Sequence, residues 1–175
     1  MLHNMNLERP RGSWAVVALG GNQPFRSLAG PALLQKALAA ISAPLLACSH
    51  AWRTPAWPDP ADPPYTNAVA VFSAEGQCPQ ALLQALLEVE RCFGRERGAR
   101  NAARTLDLDL LDMSGLVLQS AELSLPHPRL HTRAFVLAPL AEAAPWWHHP
   151  ISGATAAQML QLLSCEGMER LGALR

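Results

Sequence analysis

Cysteine, tyrosine, lysine and charge are all scarce in this 175-residue chain. Cys48, Cys78, Cys92 and Cys165 lie far apart with no C-x-x-C pair. That argues against the common zinc and dithiol motifs and suggests no disulfide framework, so reduced thiols in a cytoplasmic protein are expected. Neither G-x-G-x-x-G nor G-K-[ST] occurs, which excludes Walker-type phosphate binding. The opening MLHNMNLERPRG has no long apolar run. It reads as a frayed tail over 1–12, neither leader peptide nor membrane span, ahead of a single domain over 13–175. Only 16% of residues are charged, and 14 Lys and Arg balance 14 Asp and Glu. Zero net charge argues against a general binder of nucleic acid or membrane surfaces, and the strands lack the paired aromatics of an RNA-binding module. A monomer acting on small molecules is the expectation.

What the chain has is apolar residues and arginine. Half of it is hydrophobic, enough for a good core. All but one of its 14 basic residues are arginines, and Arg91, Arg95, Arg97, Arg100 and Arg104 crowd into Glu90–Asp112, ERCFGRERGARNAARTLDLDLLD. The run from Thr105 to Leu110 alternates with period two and reads as a strand. Leu106, Leu108 and Leu110 share one face; Asp107 and Asp109 share the other, with Cα atoms roughly 6–7 Å apart. Neighbouring carboxylates repel, and aspartate is disfavoured in strands, so something positive belongs beside them. A divalent cation such as Mg²⁺ fits, since its sites combine carboxylates with substrate phosphates. So do structural Arg–Asp ion pairs on a wet sheet face. Arginine forks also match phosphate oxygens, which suits a small phosphorylated ligand.

Around this stretch, Trp14–Leu19 reads as a buried strand ending at Gly20-Gly21-Asn22. Its glycines would let backbone approach a ligand that Asn22 could bond, although an ordinary strand-to-helix turn is the plainer reading. Leu33, Leu34, Ala37, Leu38 and Ile41 predict a helix that starts near Pro31 or, one turn sooner, at a Ser27 cap, and is closed by Pro44. Leu45–Arg53 alternates as a second strand, with His50 and Trp52 as packing residues. Thr54–Pro64 holds five prolines in eleven residues, a stiff loop or connector. Tyr65–Phe72 is a third strand, with Tyr65 and Asn67 on one face; they could stack on and hydrogen-bond a flat heterocycle, or merely pack under the loop. Pro79–Phe93 is a second helix with Glu90 bordering its apolar stripe, where it needs a cationic partner. A short hairpin or strand over Leu116–Leu125, His127 between two prolines, Arg133 before Phe135 and a helix-like run, and a closing helix over Thr155–Leu163 complete the chain. The order β-α-β-β-α-β with C-terminal additions predicts an α+β, ferredoxin-like antiparallel sheet with helices packed on it, two of them on one face.

Four blocks resemble the 6-hydroxymethyl-7,8-dihydropterin pyrophosphokinase family of folate biosynthesis. They are Ala18-Leu-Gly-Gly-Asn22; Thr54-Pro with Tyr65-Thr-Asn-Ala68; Glu90 with Gly94-Arg-Glu-Arg97 and Arg104-Thr-Leu-Asp-Leu-Asp109; and Leu125-Pro-His-Pro-Arg-Leu with Arg133-Ala-Phe-Val-Leu. The resemblance implies ATP as co-substrate and two Mg²⁺ ions on Asp107 and Asp109. It implies ATP contacts from Arg95, Arg97, Arg104, His127 and Arg133, with Glu90 ordering the arginine loop. It places the pterin between Tyr65 and Phe135, its edge on Asn67, and backbone groups at Thr54 and Pro55. Catalysis would fall to Arg95, Arg97, Asp107 and Asp109. Three positions depart: Asn101-Ala102-Ala103 stands where Trp-Gly-Pro is usual, Gly21 where Ser is common, and Trp57-Pro58 where an aliphatic residue and Gly are usual. The first motivates an alternative, a non-catalytic or regulatory paralogue that binds nucleotide or pterin without turnover.

Overall fold

The computed structural model describes residues 8–57, 59–95 and 104–174. Arg97, Arg100, Asn101-Ala102-Ala103 and Pro58 lie outside them. Strands β1 (Trp14–Gly21), β2 (Leu45–Cys48), β3 (His50–Thr54), β4 (Tyr65–Ser73), β5 (Asp107–Met113) and β8 (Glu169–Ala173) form one sheet. Its order is β5-β1-β4-β3-β8, with β2 also on β4, and every pairing is antiparallel. The two-residue strands β6 (Leu118–Gln119) and β7 (Ser124–Leu125) pair antiparallel, the hairpin rather than the single strand of the two readings.

Alternation along β1 separates two cores. Ala15, Val17 and Leu19 join the cluster that holds Leu33, Leu34 and Leu38 of α1 (Gly30–Ala40) and Leu82 and Leu86 of α2 (Pro79–Cys92). Trp14 and Val16 join the opposite cluster, with Val136, Leu137 and Leu140 of α3 (Ala134–Ala143) and Met159 of α4 (Ala156–Leu160). The sheet is therefore covered on both faces, and α3 and α4 supply the second layer. Pro31 in the first turn of α1, with Ala29 as N-cap, decides between the two starts in favour of the later one.

Three elements differ from expectation. The Leu45–Arg53 strand is broken at Ser49, whose hydroxyl accepts the Val69 N–H (3.0 Å) and donates to the His50 carbonyl (2.7 Å), displacing regular ladder partners. The closing helix is shorter, Ala156–Leu160, begun by a Thr155–Gln158 capping box. The last strand, β8, is an addition: Glu169–Ala173 is mostly exposed and carries no apolar alternation.

Candidate active site

On the α3 side β1 tapers from Trp14 through Val16 and Ala18 to Gly20. Large side chains fill the core at one end and leave a bare floor at the other. Gly20 stands in register with Asp107 on β5 and with Asn67 on β4. Paired residues project to the same side, and two interstrand steps put Asp107 and Asn67 roughly 10 Å apart. A Cβ at residue 20 would come within 2.7 Å of Asn67 Oδ1, so any other residue there would displace that amide. Asp109 follows in register with Ala18.

The acidic end of the row is laced with arginine. Arg95 donates to both Glu90 Oε1 and Asp107 Oδ1, and Arg104 Nη1 lies 2.6 Å from Asp107 Oδ2. Arg133 Nη1 is 3.6 Å from Asp109 Oδ2. Glu90, only 3% exposed, also accepts the Leu108 N–H at 2.6 Å, fixing α2 to β5. Burial pushes the Glu90 carboxyl up to about 7, against the opposing pull of the Leu108 amide and Arg95. Burial, then the charge of Asp107, raises Asp109 above the ordinary aspartate range, although His127 and Arg133 oppose this. Burial lowers His127, with Asp109 opposing. Burial also works to lower Arg95, but Asp107 and Glu90 outweigh it and hold Arg95 above its usual value.

Two carboxylates on one strand face, one of them, Asp109, disfavoured in its charged form by burial and by its neighbour, are hard oxygen donors suited to a dication. Among the described residues no group of three or more His, Cys, Asp or Glu gathers to hold a metal. Such a pair suits an ion whose remaining positions go to water or ligand oxygens.

At the other end of the row, Asn67 is 7% exposed and its Nδ2 donates to the buried Thr54 hydroxyl at 2.8 Å. One amide hydrogen and the carbonyl oxygen remain for a ligand edge. Half-buried Tyr65 opens β4, in register with Thr54. Phe135, in the first turn of α3, is 38% exposed, and the Arg133 guanidinium lies 5.6 Å from its ring centre. Pro55 is exposed and stands beside Gly167.

Thus Arg95, Arg104, Asp107, Asp109, Glu90, His127 and Arg133 form one charged network by contact or field, and Thr54, Asn67 and Tyr65 one polar-aromatic cluster. Arg97 lies outside the described residues. Arg91 is no member: it turns to Glu88 on the exposed side of α2, at 2.6 Å. His50 and Trp52, read as packing residues, both donate to Glu142, which also accepts from Arg170. Asn22, read as able to bond a ligand, uses its amide on the protein itself, by contacts described below. No side chain fits at Gly21, where a Cβ would come within 2.2 Å of the Thr105 carbonyl oxygen.

A family model for 7,8-dihydro-6-hydroxymethylpterin-pyrophosphokinase (HPPK) matches residues 16–145. The chain belongs to this family. It is 41% identical over 159 residues to the 2-amino-4-hydroxy-6-hydroxymethyldihydropteridine pyrophosphokinase of Synechocystis sp., covering 86% of this chain and 76% of that protein. The protein of the same description from Methylorubrum extorquens is 37% identical, covering 73% of this chain and 78% of its own length. Among solved structures, wild-type Plasmodium falciparum HPPK-DHPS matches with a TM-score of 0.70 at 12% identity over 95% of this chain. This chain spans half of that longer one, and the likeness there is one of fold.

Proposed function

We propose that this HPPK-family enzyme transfers the terminal diphosphate of ATP to the hydroxymethyl oxygen of 6-hydroxymethyl-7,8-dihydropterin, a step of folate biosynthesis. The oxygen bonds to the β-phosphorus, the bond from that phosphorus to the α,β-bridging oxygen breaks, AMP leaves with the electron pair, and the alcohol proton is lost. The observation that carries the reading is the Asp107–Gly20–Asn67 row. It sets an arginine-flanked carboxylate pair about 10 Å, across one bare glycine, from an amide beside Tyr65.

In this reading Asp107 and Asp109 hold Mg²⁺, two ions in the family pattern, which supplies charge neutralisation to the triphosphate. Arg95, Arg97, Arg104, His127 and Arg133 meet phosphate oxygens, and Glu90 holds Arg95 in place. Tyr65 and Phe135 flank the pterin, Asn67 reads its edge, and Thr54 and Pro55 line the same wall. The strand order and the two helices on one face fit a ferredoxin-like split β-α-β unit with C-terminal additions. We read residues 13–175 as one domain after a short tail, acting as a cytoplasmic monomer with no nucleic-acid or membrane partner.

The test is AMP release from ATP, Mg²⁺ and 6-hydroxymethyl-7,8-dihydropterin. One AMP for each pterin diphosphate is the expected result. Absence of AMP from a folded protein that still binds both ligands in calorimetry would replace this reading with that of a non-catalytic paralogue.

A further inference from the structure

Asn22 ends the turn after β1, and its backbone N–H and both side-chain polar atoms are committed within the protein. Its backbone N–H donates to the Arg104 carbonyl (3.0 Å), and its Oδ1 accepts the Arg104 N–H (3.0 Å). The two bonds close a ring, as a rung between antiparallel strands would, with the amide oxygen in place of a strand carbonyl. The Gln23 N–H shares the Arg104 carbonyl at 3.2 Å. Asn22 Nδ2 donates to the Pro63 carbonyl (3.1 Å), two residues before Tyr65. The missing Cβ of Gly21 lets the turn press against the Arg104–Thr105 backbone. One side chain thus joins the glycine turn, the exit of the proline loop and the residue whose guanidinium reaches Asp107 Oδ2. A carboxamide is suited to this post because it presents a donor and an acceptor at one reach.

We infer that Asn22 is a positioning residue: it fixes the backbone of Arg104 so that the guanidinium is held at Asp107 and at the nucleotide phosphates. The inference rests on the diphosphokinase reading above, and it assigns Asn22 no contact with either substrate. Asn22→Ala removes both side-chain bonds and lets the Arg104 backbone shift.

A double-mutant cycle tests this. Affinity for the Mg²⁺ complex of a non-hydrolysable ATP analogue is measured by calorimetry for wild type, Asn22→Ala, Arg104→Ala and the double variant. All are measured at a temperature where circular dichroism shows each folded. We expect Asn22→Ala to weaken binding by about tenfold, and that loss to vanish when Arg104 is already alanine, because coupled residues are non-additive. Additive losses, or unchanged affinity with only a lower melting temperature, would overturn the inference and leave Asn22 a structural hub. Should Asn22→Ala not fold, Asn22→Ser, too short to span both partners, carries the same cycle. Wild-type protein that binds no nucleotide would overturn the functional reading and this inference with it. Wild-type binding with additive losses would overturn this inference alone.

Discussion

Asp112 and the Asp107–Asp109 pair lie on one strand, three or five residues apart, and live under opposite regimes. Asp112 is 0% exposed and accepts from neutral donors, the Trp147 indole N–H (2.6 Å) and the Gly115 amide (3.0 Å). Burial raises it above the ordinary aspartate range, with those bonds opposing. Asp107 and Asp109 are partly exposed and face guanidinium groups. A register shift between Val16 and Val17 of β1 separates the two regimes. On the far side of it Trp14, Trp146 and Trp147 crowd around the strand; on the near side Ala18 and Gly20 leave room. An aspartate's use is set here by the size of its cross-strand neighbours and the charge of its partners. A neutral, sealed cage makes a strut, and a cationic, open floor makes, in the proposed reading, a binding group.

Breaking the open end should have the largest effect. Asp107→Ala combined with Asp109→Ala is expected to cut Mg²⁺-dependent AMP release by about a thousandfold or more, while thermal unfolding remains cooperative. Unchanged turnover would remove the metal assignment. At the sealed end the costs reverse. Asp112→Ala strands two buried donors and should lower unfolding free energy by about 2–4 kcal/mol in urea titrations, with turnover per folded molecule preserved. A large loss of turnover in fully folded Asp112→Ala would erase the distinction.

Glu90 sits between these extremes, sealed yet paired to Arg95. Its folded carboxyl titrates at about 7 against a usual 4.5, so the folded state keeps a proton that the unfolded chain gives up. Its contribution is fully present below pH 4.5 and is lost as pH rises through 7. The loss is on the order of 3 kcal/mol. Glu90→Gln should flatten that decline in stability curves taken between pH 5 and pH 8; an undiminished slope would place the titration elsewhere. The smallest effect belongs to Glu142, partly buried and bonded to Trp52, the β3 neighbour of Asn67, at the end of the row away from the carboxylate pair. Burial works to raise it, but bonds from Arg170, Trp52 and His50 outweigh this and hold it below the usual glutamate range. Glu142→Ala should cost roughly 2 kcal/mol of stability by loosening β8, with kcat/KM for ATP unaffected.

The parts legible in the sequence are those written in local periodicity. Leu106, Leu108 and Leu110 announced a strand, and with it the common face of Asp107 and Asp109, because a two-residue period needs no knowledge of the partner strand. The α1 and α2 stripes and the charged neighbour required by Glu90 followed from the same reasoning. What was not legible depends on contacts distant in sequence. The Ser49 break arises because a hydroxyl competes for the Val69 N–H, and β8 forms because β3 offers an edge to a polar segment. The two bonds of Asn22 reach 41 and 82 residues away. The gathering of His50, Trp52 and Arg170 on Glu142 likewise crosses three elements. A turn asparagine or a strand histidine looks the same in sequence whether or not a partner waits for it.

β5 is the outermost strand on its side of the sheet, and its open flank is stoppered by the site's own residues: the Glu90 carboxylate takes the Leu108 amide, and the backbone N–H of His127 covers the Leu111 carbonyl at 2.8 Å. An uncovered flank is a template on which a second copy can stack. Variants that release Glu90 should therefore lose solubility along with turnover, and self-association on storage becomes a cheap warning that this corner has come undone.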